Sequence, residues 1–379
     1  MDNKTIVEGK YNNAIIFADK DNVEEYAIAQ VKAICDMEVS KDSIIRVMSD
    51  VHPGKVGPIG FTMTFKDFII PSLVGVDLGC GITMLKIGRI RKEFQKIDSV
   101  IREQIPVGFN IREKPMHEEL DYSYIKDLHC IDHIDISKAL RSLGTLGGGN
   151  HFIEIDQDDA GDCYITVHSG SRHFGLEIAE YYMLEGHRQL LEQGIDIPYE
   201  LTYLTGDLLN DYIDDVRSAQ FYAQVNRMRI IDTLCKALKW KSEELPISCE
   251  HNYIDTSLNT RMLRKGAIRA KEGNVVIIPI NMRDGVIIGT GKGNADWNFS
   301  APHGAGRIYS RTEVKNNFTV SQFKKEMTGI YSSCIGQDTL DESPFAYRDI
   351  DYIKEAIKDT VEITDILKPI YNFKAGGKK

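Results

Sequence analysis

The stretch from residue 44 to residue 90 constrains the fold most, because short apolar runs alternate there with glycine and proline. The runs read IIRVM, FTMTF, DFIIPSLVGV and GITMLKI. Each is rich in β-branched or aromatic residues and short for a helix, so each is predicted to form a strand. The glycines and prolines between them favour turns, and such loops often carry functional groups.

Helical periodicity appears on both sides of this stretch. Residues 20–38 are predicted to form a helix, with Asp21 or Asn22 as its N-cap. The apolar face of this helix comprises Val23, Ala27, Val31, Ile34 and Cys35. Further helices are predicted at 177–193, 209–239, 320–328 and 351–358, and strands at 262–291. Because the two patterns interleave without a linker or repeat, we predict one α+β domain over residues 1–379, closed around a central cleft.

Composition bounds the class of protein. The chain of 379 residues is 42% hydrophobic, which is enough for a sizeable core. No apolar run approaches the roughly 20 residues of a membrane span, and no signal peptide is visible, so we expect a cytoplasmic protein. Seven cysteines without a CxxC argue against a disulfide framework. The net charge of −10 disfavours non-specific binding of nucleic acid, yet it allows a local basic channel.

Several potential metal ligands lie beside glycines. Asp77 and Cys80 share the segment DLGCG, and three histidines lie close to small or amide-bearing residues, two of them after glycine-rich or strand-like runs. Those histidines are His151, His168 and His251. Carboxylate, thiolate and imidazole are the side chains that bind metals, and the thiol makes zinc the first choice from residue types alone. A single histidine beside glycine is more often structural, and His117, His129, His133 and His187 are interpreted that way.

Potential phosphate-binding features accompany these candidate metal ligands. The segments GGGN (147–150) and GTGKGN (289–294) can bind phosphate through backbone N–H groups, although a tight strand connection is the simpler interpretation of either. In HGAGRIYSR, the three residues directly after His303 are the small Gly304, Ala305 and Gly306, so nothing bulky there blocks the approach of a phosphorus atom to its ring. The basic residues that add candidate phosphate-binding groups are Arg172, Arg264, Lys265, Arg269, Arg307 and Arg311. Together these features indicate phosphoryl or nucleotidyl transfer.

The order of motifs resembles the RtcB family of RNA ligases. The segments DVHPG, GVDLGCG, GGGNHFIEI, VHSGSR, EHNYI, KGAIRA and HGAGR occur in the order of that family, followed by DESPFAYRDI and IYNFKAGG. The similarity runs from about residue 45 to the C-terminus. It implies an unusual α+β fold and two Mn²⁺ ions bridged by the thiolate of Cys80. One ion would also bind His151 and His168, and the other Asp77 and His251.

The resemblance also implies a reaction. Family members use GTP and manganese to join an RNA 3′-phosphate or 2′,3′-cyclic phosphate to a 5′-hydroxyl end, in RNA repair or tRNA splicing. His303 would carry GMP as a phosphoramidate. Asn150, Glu154, residues 303–306 and Lys374 match positions that hold the guanylate. Arg172, Lys265, Arg307 and Arg311 are candidates for phosphate contacts, and the protein archease is a possible helper.

Two other functions are compatible with these motifs. A metal-dependent phosphoesterase or cyclic-phosphate hydrolase would use the same ligands but needs no guanylated histidine. A non-catalytic RNA-binding paralog would be signalled by loss of a ligand. The intact HGAGR segment and the complete ligand set favour the ligase over both.

Overall fold

The structure is a computed structural model that describes residues 4–116, 122–257 and 260–375. Its α-helices, in chain order, are α1 (Glu25–Cys35), α2 (Phe94–Gln104), α3 (Ser123–Lys126), α4 (Ile136–Ser142), α5 (Arg172–Glu192), α6 (Gly206–Leu238), α7 (Arg311–Asn317), α8 (Val320–Glu326) and α9 (Ile350–Ile357). Among these helices, none is both long and apolar enough to cross a membrane. His117 lies outside the described residues.

The strands form two large sheets and two small ribbons. In chain order they are β1 (Thr5–Glu8), β2 (Asn13–Ile16), β3 (Ile45–His52), β4 (Ile59–Phe65), β5 (Phe68–Ile69), β6 (Gly81–Gly88), β7 (Phe152–Gln157), β8 (Cys163–Ser169), β9 (Leu204–Thr205), β10 (Ile247–Glu250), β11 (Asn252–Asp255), β12 (Arg261–Lys265), β13 (Ala267–Arg269), β14 (Val275–Asn281), β15 (Gly285–Gly291), β16 (Ser300–Pro302) and β17 (Val361–Lys374). The six-stranded sheet has the order β1-β2-β3-β4-β12-β11, and the seven-stranded sheet has the order β10-β6-β8-β7-β17-β15-β14. The ribbons are β13-β16 and β5-β9.

The mixed sheets and helices confirm the predicted α+β class. The strands expected between residues 44 and 90 are present, except that DFIIPSLVGV forms only the short β5 and a 3₁₀ turn at Pro71–Leu73. Proline has no N–H for a sheet ladder, which explains the early end of that strand. The predicted capping of the first helix was wrong, since Asp21 and Asn22 lie in a 3₁₀ turn and α1 begins after Glu24. Its apolar face is nevertheless buried as predicted.

The longest helix, α6, anchors the seven-stranded sheet. It packs on β6 and β8, and its buried Arg227 donates to the carbonyl oxygens of Gly79 (2.8 Å) and Ser169 (3.1 Å) and to Glu250 (3.0 Å). Those three acceptors belong to three segments that converge on one end of the sheet. A fully buried guanidinium needs several acceptors to offset its desolvation, so Arg227 holds the three segments in a fixed arrangement.

Candidate metal and nucleotidyl-transfer site

Four of the five predicted metal ligands lie at one end of four adjacent strands. Cys80 immediately precedes β6, His151 precedes β7, His168 is the penultimate residue of β8, and His251 follows β10. The antiparallel register places Ile82 opposite His168, and Phe152 opposite the same histidine. Neighbouring strands are about 4.8 Å apart, so side chains at these positions converge, although as many as 171 residues separate them in the sequence.

The ligand atoms face one another at short distances. The Sγ atom of Cys80 lies 3.5 Å from Nε2 of His151 and 3.4 Å from Nε2 of His168. Nε2 of His168 lies 3.0 Å from Nε2 of His251, and Nε2 of His151 lies 3.1 Å from Oδ2 of Asp77. Cys80, His151 and His168 form a buried group whose ligand atoms all lie within 4.8 Å of one another.

Hydrogen bonds on the far side of two rings orient them as metal ligands. Nδ1 of His151 donates to the carbonyl oxygen of Leu146 (2.9 Å), and Nδ1 of His168 donates to that of Asn150 (3.1 Å). These carbonyls select the tautomer in which Nε2 carries a lone pair and faces Cys80. Oδ1 of Asp77 is buried and has no hydrogen-bond partner among the described residues. A divalent cation would satisfy these groups together.

Burial sets the direction of the pKa shifts in this group. Desolvation, followed by the charge of Asp77, raises the pKa of the Cys80 thiol well above its ordinary value. Burial also lowers the pKa values of His168 and His251 well below the usual range. Burial alone would raise the pKa of Asp77, but the hydrogen bond and charge of His151 outweigh it, so this pKa is lowered. His168 and His251 are therefore neutral, as metal ligands must be, and a thiolate at Cys80 requires a nearby cation.

The resemblance implied that His151 and His168 share one ion with Cys80, with Asp77 and His251 on the other. Cys80, His151 and His168 form one compact group in the structure. His251 adjoins this group through His168, and Asp77 adjoins it through His151. The five candidate ligands therefore lie in one cluster, in which Cys80 is close to both His151 and His168. Gly170 makes room for this arrangement, because a Cβ there would lie 2.2 Å from Oδ1 of Asp77.

His303 is held beside the metal group by an aspartate. It follows β16, and its ring centroid lies 4.7 Å from that of His251. Its Nδ1 lies 2.6 Å from Oδ2 of Asp50, which also accepts the backbone N–H of His303 at 3.1 Å. Asp50 is fully buried in β3, so this contact joins the six-stranded sheet to the site. With Nδ1–H donated to Asp50, Nε2 of His303 keeps its lone pair available as a nucleophile.

A cavity of about 150 Å³ connects His303 with the metal group. His168, His251 and His303 line it, so the accessible histidine and two metal ligands face one space. The predicted nucleotide-binding residues that also line it are Asn150, Glu154, Gly304, Ala305, Gly306 and Lys374. The structure thus brings together all the residues matched to the guanylate.

A buried charged network forms one wall of this cavity. Glu342 is 2% exposed and contacts Lys374 (2.7 Å), Arg311 (2.6 Å) and Arg307 (3.5 Å). Its carboxylate also accepts the hydroxyl of Tyr347 at 2.6 Å. Burial opposes ionisation, but Lys374 and Arg311 outweigh it and lower the pKa of Glu342 to about 2. Because Arg311 also pairs with Asp341, three cations meet two carboxylates here, and the remaining positive charge facing the cavity would favour phosphate groups.

Arg307 and Arg311 do not share a helix face. Residues 303–310 are not helical, and α7 begins only at Arg311, after a capping box formed by Ser310 and Glu313. Arg307 and Arg311 meet instead through Glu342 and Asp341. Both arginines line the cavity, so their predicted proximity to phosphate remains consistent with the structure.

Two other predicted phosphate contacts lie outside the cavity lining. Lys265 is buried beneath the loop 53–58 and donates to the carbonyl oxygens of Val56, Gly57 and Ser72. Arg172 donates to the carbonyl oxygen of Gly108 at 2.9 Å, behind the glycine loop that precedes His151. In this geometry Lys265 holds the loop that contains Val56 and Gly57 against Ser72. The charge of Arg172 favours ionisation of Asp77 and Cys80, although burial still raises the pKa of the Cys80 thiol.

The remaining basic and glycine-rich segments are structural. Arg264 is fully buried in β12 and pairs with Asp255 at 2.7 Å, whereas Arg269 donates to Ser257. The segment 289–294 continues β15 and does not line the cavity, and Lys292 donates to the carbonyl oxygen of Lys358. Its simpler interpretation, a strand connection, holds. His129 and His133 are exposed and His187 is half-buried, as expected for histidines outside a site.

Sequence reasoning assigned no role to Asp50, His52, Glu342 or Asn372. Asp50 and His52 lie within SDVHPG, and Glu342 lies within DESPFAYRDI, so the quoted motifs contained the signal. An aspartate two residues before a histidine is too common to stand out alone. Only the pairing of β3 with β4 and the position of β16 bring Asp50 to His303, 253 residues away.

Comparison with known proteins places this geometry in a family. A family model described as tRNA-splicing ligase RtcB matches residues 30–375. The RNA-splicing ligase RtcB of Escherichia coli K12 is 32% identical over 362 residues, which cover 86% of this chain and 88% of that protein. The RNA-splicing ligase RtcB2 of Escherichia coli strain ATCC 25922 is 26% identical over 405 residues, covering 98% of this chain and 100% of that protein. The match over most of the chain, together with the buried cysteine and histidine ligands, shows that the chain belongs to the RtcB family.

Proposed function

We propose that the chain is a GTP- and Mn²⁺-dependent RNA ligase of RNA repair or tRNA splicing. It joins an RNA 3′-phosphate or 2′,3′-cyclic phosphate end to a 5′-hydroxyl end. The observation that carries the proposal is His303: Nδ1 is bound to Asp50, and the ring stands beside His251 in the cavity shared with the metal ligands. A hydrolase would need the metal group but no nucleophilic histidine, so this arrangement favours nucleotidyl transfer.

In the first proposed step the lone pair on Nε2 of His303 attacks the α-phosphorus of GTP. A P–N bond forms, the bond to the β-phosphate oxygen breaks, and pyrophosphate leaves. Asp50 holds the ring through Nδ1–H and stabilises the positive charge that develops on it. The bound Mn²⁺ ions would supply neutralisation of phosphate charge and polarisation of phosphorus. Their proposed ligands are Asp77, Cys80, His151, His168 and His251.

Two further transfers complete the proposed reaction. An oxygen of the RNA 3′-phosphate attacks the phosphorus of the guanylate, the P–N bond breaks, and His303 is regenerated. The 5′-hydroxyl oxygen then attacks the activated 3′-phosphate and GMP leaves. A cyclic end is first opened by hydrolysis. Arg307 and Arg311, which share Glu342 with Lys374, are the residues best placed to receive phosphate charge.

Glu154 is proposed to select guanine. Burial and then the charge of Asp156 raise the pKa of Glu154 well above its ordinary value, and the amide of Asn372 donates to its Oε2. Guanine presents two N–H donors that suit an ionised carboxylate, whereas adenine does not. We expect Glu154→Gln to lose on the order of 10²-fold in discrimination of GTP from ATP, because a mispaired buried group is costly. Competition of ATP with labelled GTP measures this ratio.

The same experiment has a pH component and a control. Because nucleotide binding favours the ionised carboxylate, affinity for GTP is expected to rise with pH as Glu154 loses its proton, and the Gln variant should lack that component. Asp159→Asn, at an exposed residue beyond the end of the same strand, serves as the control and should keep both properties. Unchanged discrimination in Glu154→Gln would contradict the assignment.

The charged wall predicts acid sensitivity of the fold. The pKa of Glu342 is about 2 in the folded chain and ordinarily 4.5. A lowered carboxyl pKa stabilises the fold above pH 4.5, and that stabilisation is lost as the pH falls from 4.5 towards 2. The full shift corresponds to roughly 3 kcal/mol. Glu342→Gln is therefore expected to lower the free energy of unfolding by that order near neutral pH, with the difference shrinking in acid.

Urea unfolding across the acid range measures this effect. Glu355→Gln is the control, because Glu355 is an exposed partner of Lys358 and its removal should change the free energy of unfolding by only a few tenths of a kcal/mol. A difference between wild type and Glu342→Gln that stays constant with pH would show that the network does not hold this carboxylate ionised.

Incubation with GTP labelled at the α-phosphate, in the presence of Mn²⁺, tests the function directly. Label retained on the denatured chain and conversion of 3′-phosphate and 5′-hydroxyl RNAs into a longer product would support the ligase. Adding archease, the helper that the resemblance implies, tests whether it accelerates turnover. No label, with metal bound and ATP tried in parallel, would favour the hydrolase or the non-catalytic paralog.

We also propose that residues 1–379 act as one domain, since the first core cluster joins Val7 to residues as distant as Leu263.

A further inference from the structure

A basic groove lies at the end of β6 opposite the metal ligands. This cavity of about 560 Å³ is bounded by the turn after β6, the start of α2 and the end of α6. Its lining includes Trp240 and one acid, Glu93. The cations that line it are Arg89, Arg91, Lys96, Lys239 and Lys241. Five cations against one acid contrast with the whole chain, in which 56 acidic residues outnumber 46 basic ones.

Few of these charges are neutralised within the protein. Lys96 pairs with Glu93 at 3.2 Å, and Arg89 donates to the carbonyl oxygen of Ala160 at 2.9 Å. Within residues 4–116, 122–257 and 260–375, Arg91, Lys239 and Lys241 form no ion pair. Glu244, three residues after Lys241, faces Lys86 at 3.8 Å. Such a concentration of free cations favours an external polyanion.

Trp240 adds an aromatic surface to the groove. The chain turns at Lys239, which is left-handed with φ of 58°, and the backbone N–H of Trp240 donates to the carbonyl oxygen of Cys235. Trp240 is half-buried against the core cluster that includes Leu234, so its position is fixed while part of the ring stays accessible. Proteins bind single-stranded nucleic acid through this combination: cations contact the phosphates, and a base stacks on a neighbouring aromatic ring.

We propose that this groove binds the body of the RNA whose ends react at His303. The inference rests on the proposed function. Strand β6 runs from Gly81, next to Cys80, to Gly88 at the groove. Eight residues at about 3.3 Å each separate Cys80 from the groove by roughly 26 Å. At about 3.4 Å per stacked nucleotide, an RNA must extend roughly eight nucleotides from its reacting end to touch the groove.

Trp240 supplies a direct measurement of binding. The chain has two tryptophans, and the other, Trp297, is 5% exposed and stacks on Phe17 with centroids 3.7 Å apart. We expect an RNA of roughly 20 nucleotides, longer than one groove covers, to quench the fluorescence of wild type in a salt-dependent manner. Trp240→Phe, which keeps an aromatic ring, should bind the RNA but show no quenching.

Removal of two unpaired charges tests the consequence for catalysis. Arg91→Gln with Lys239→Gln is expected to weaken binding of the longer RNA about tenfold and to reduce the salt slope by roughly two. The KM for that RNA should rise by a similar factor. Ligation of ends of about four nucleotides, too short to reach the groove, and guanylation by GTP should be unchanged. The control with the same loss of charge is Lys324→Gln with Lys325→Gln, at two exposed lysines of α8.

Three results would decide the matter. A double variant with unchanged affinity, salt slope and KM would overturn the proposal. Equal quenching of Trp240 by polyglutamate and by RNA would also overturn it, in favour of an acidic protein partner. If wild type neither retains GMP nor ligates, yet RNA still quenches Trp240 and the double variant weakens that binding, the ligase assignment fails while the groove stands as an RNA-binding surface.

Discussion

His303→Asn is expected to abolish retention of labelled GMP and to lower the rate of ligation by about 10⁴-fold or more, because no other group replaces a lost nucleophile. In the structure Nδ1 of His303 is 2.6 Å from Asp50, and its ring stands 4.7 Å from that of His251. Asparagine can keep a hydrogen bond to Asp50 but has no basic nitrogen at the position of Nε2. The measurement compares the label retained by wild type and by His303→Asn. On wild type the label should be lost in acid and kept in base, as expected for a phosphoramidate.

Asp50→Asn separates the positioning of His303 from its chemistry. An asparagine can present its N–H to Nδ1, which would place the proton on Nε2 and remove the nucleophilic lone pair. We expect guanylation to slow by about 10²- to 10⁴-fold, with the KM for GTP little changed, as for other histidines that depend on a buried aspartate. His129→Asn, at an exposed histidine, is the matched control.

Full guanylation of His303→Asn would refute the assignment of His303 as the nucleophile.

Cys80→Ser is expected to lose bound Mn²⁺ and, with it, both guanylation and ligation. The sulfur lies within 3.5 Å of both His151 and His168, which is the position of the thiolate proposed to be shared by the two ions. A serine hydroxyl stays protonated at neutral pH and cannot offset the charge of two cations. We expect a loss of at least about 10³-fold in guanylation, equal to the loss caused by a chelator in wild type. Metal per chain after dialysis is the primary readout.

Matched variants make the metal result specific. Cys235→Ser changes a half-buried thiol in the last turn of α6 and should keep metal content and activity. His251→Asn should lower metal content while leaving the pair formed by His151 and Asp77 intact. After chelation, we expect added Mn²⁺ to restore the activity of wild type but not that of Cys80→Ser. Normal metal content and activity in Cys80→Ser would contradict a shared thiolate.

Local patterns in the sequence were sufficient to predict much of the fold and to propose the metal ligands. Short β-branched runs bounded by glycine predicted β3, β4 and β6, and the 3.6-residue period predicted the buried face of α1. Both patterns reflect interactions between residues close in the chain. The choice of Asp77, Cys80 and the three histidines depended on residue type and glycine neighbours, and the motif order connected them to a family. The early end of β5, before Pro71, and the N-cap of α1 were predicted incorrectly.

The tertiary structure alone decided which groups share one space. Asp50 reaches His303, and Glu342 gathers Lys374, Arg307 and Arg311, because strands far apart in sequence meet at one cavity. Lys265 carries the same charge as Lys374, yet burial beneath three carbonyl oxygens directs it away from that cavity. The sequence by itself therefore determined the chemical groups available to this protein. The grouping of the candidate ligands, the orientation of His303 and the distance from these residues to the basic groove depend on long-range strand register, which has no local signal in the chain.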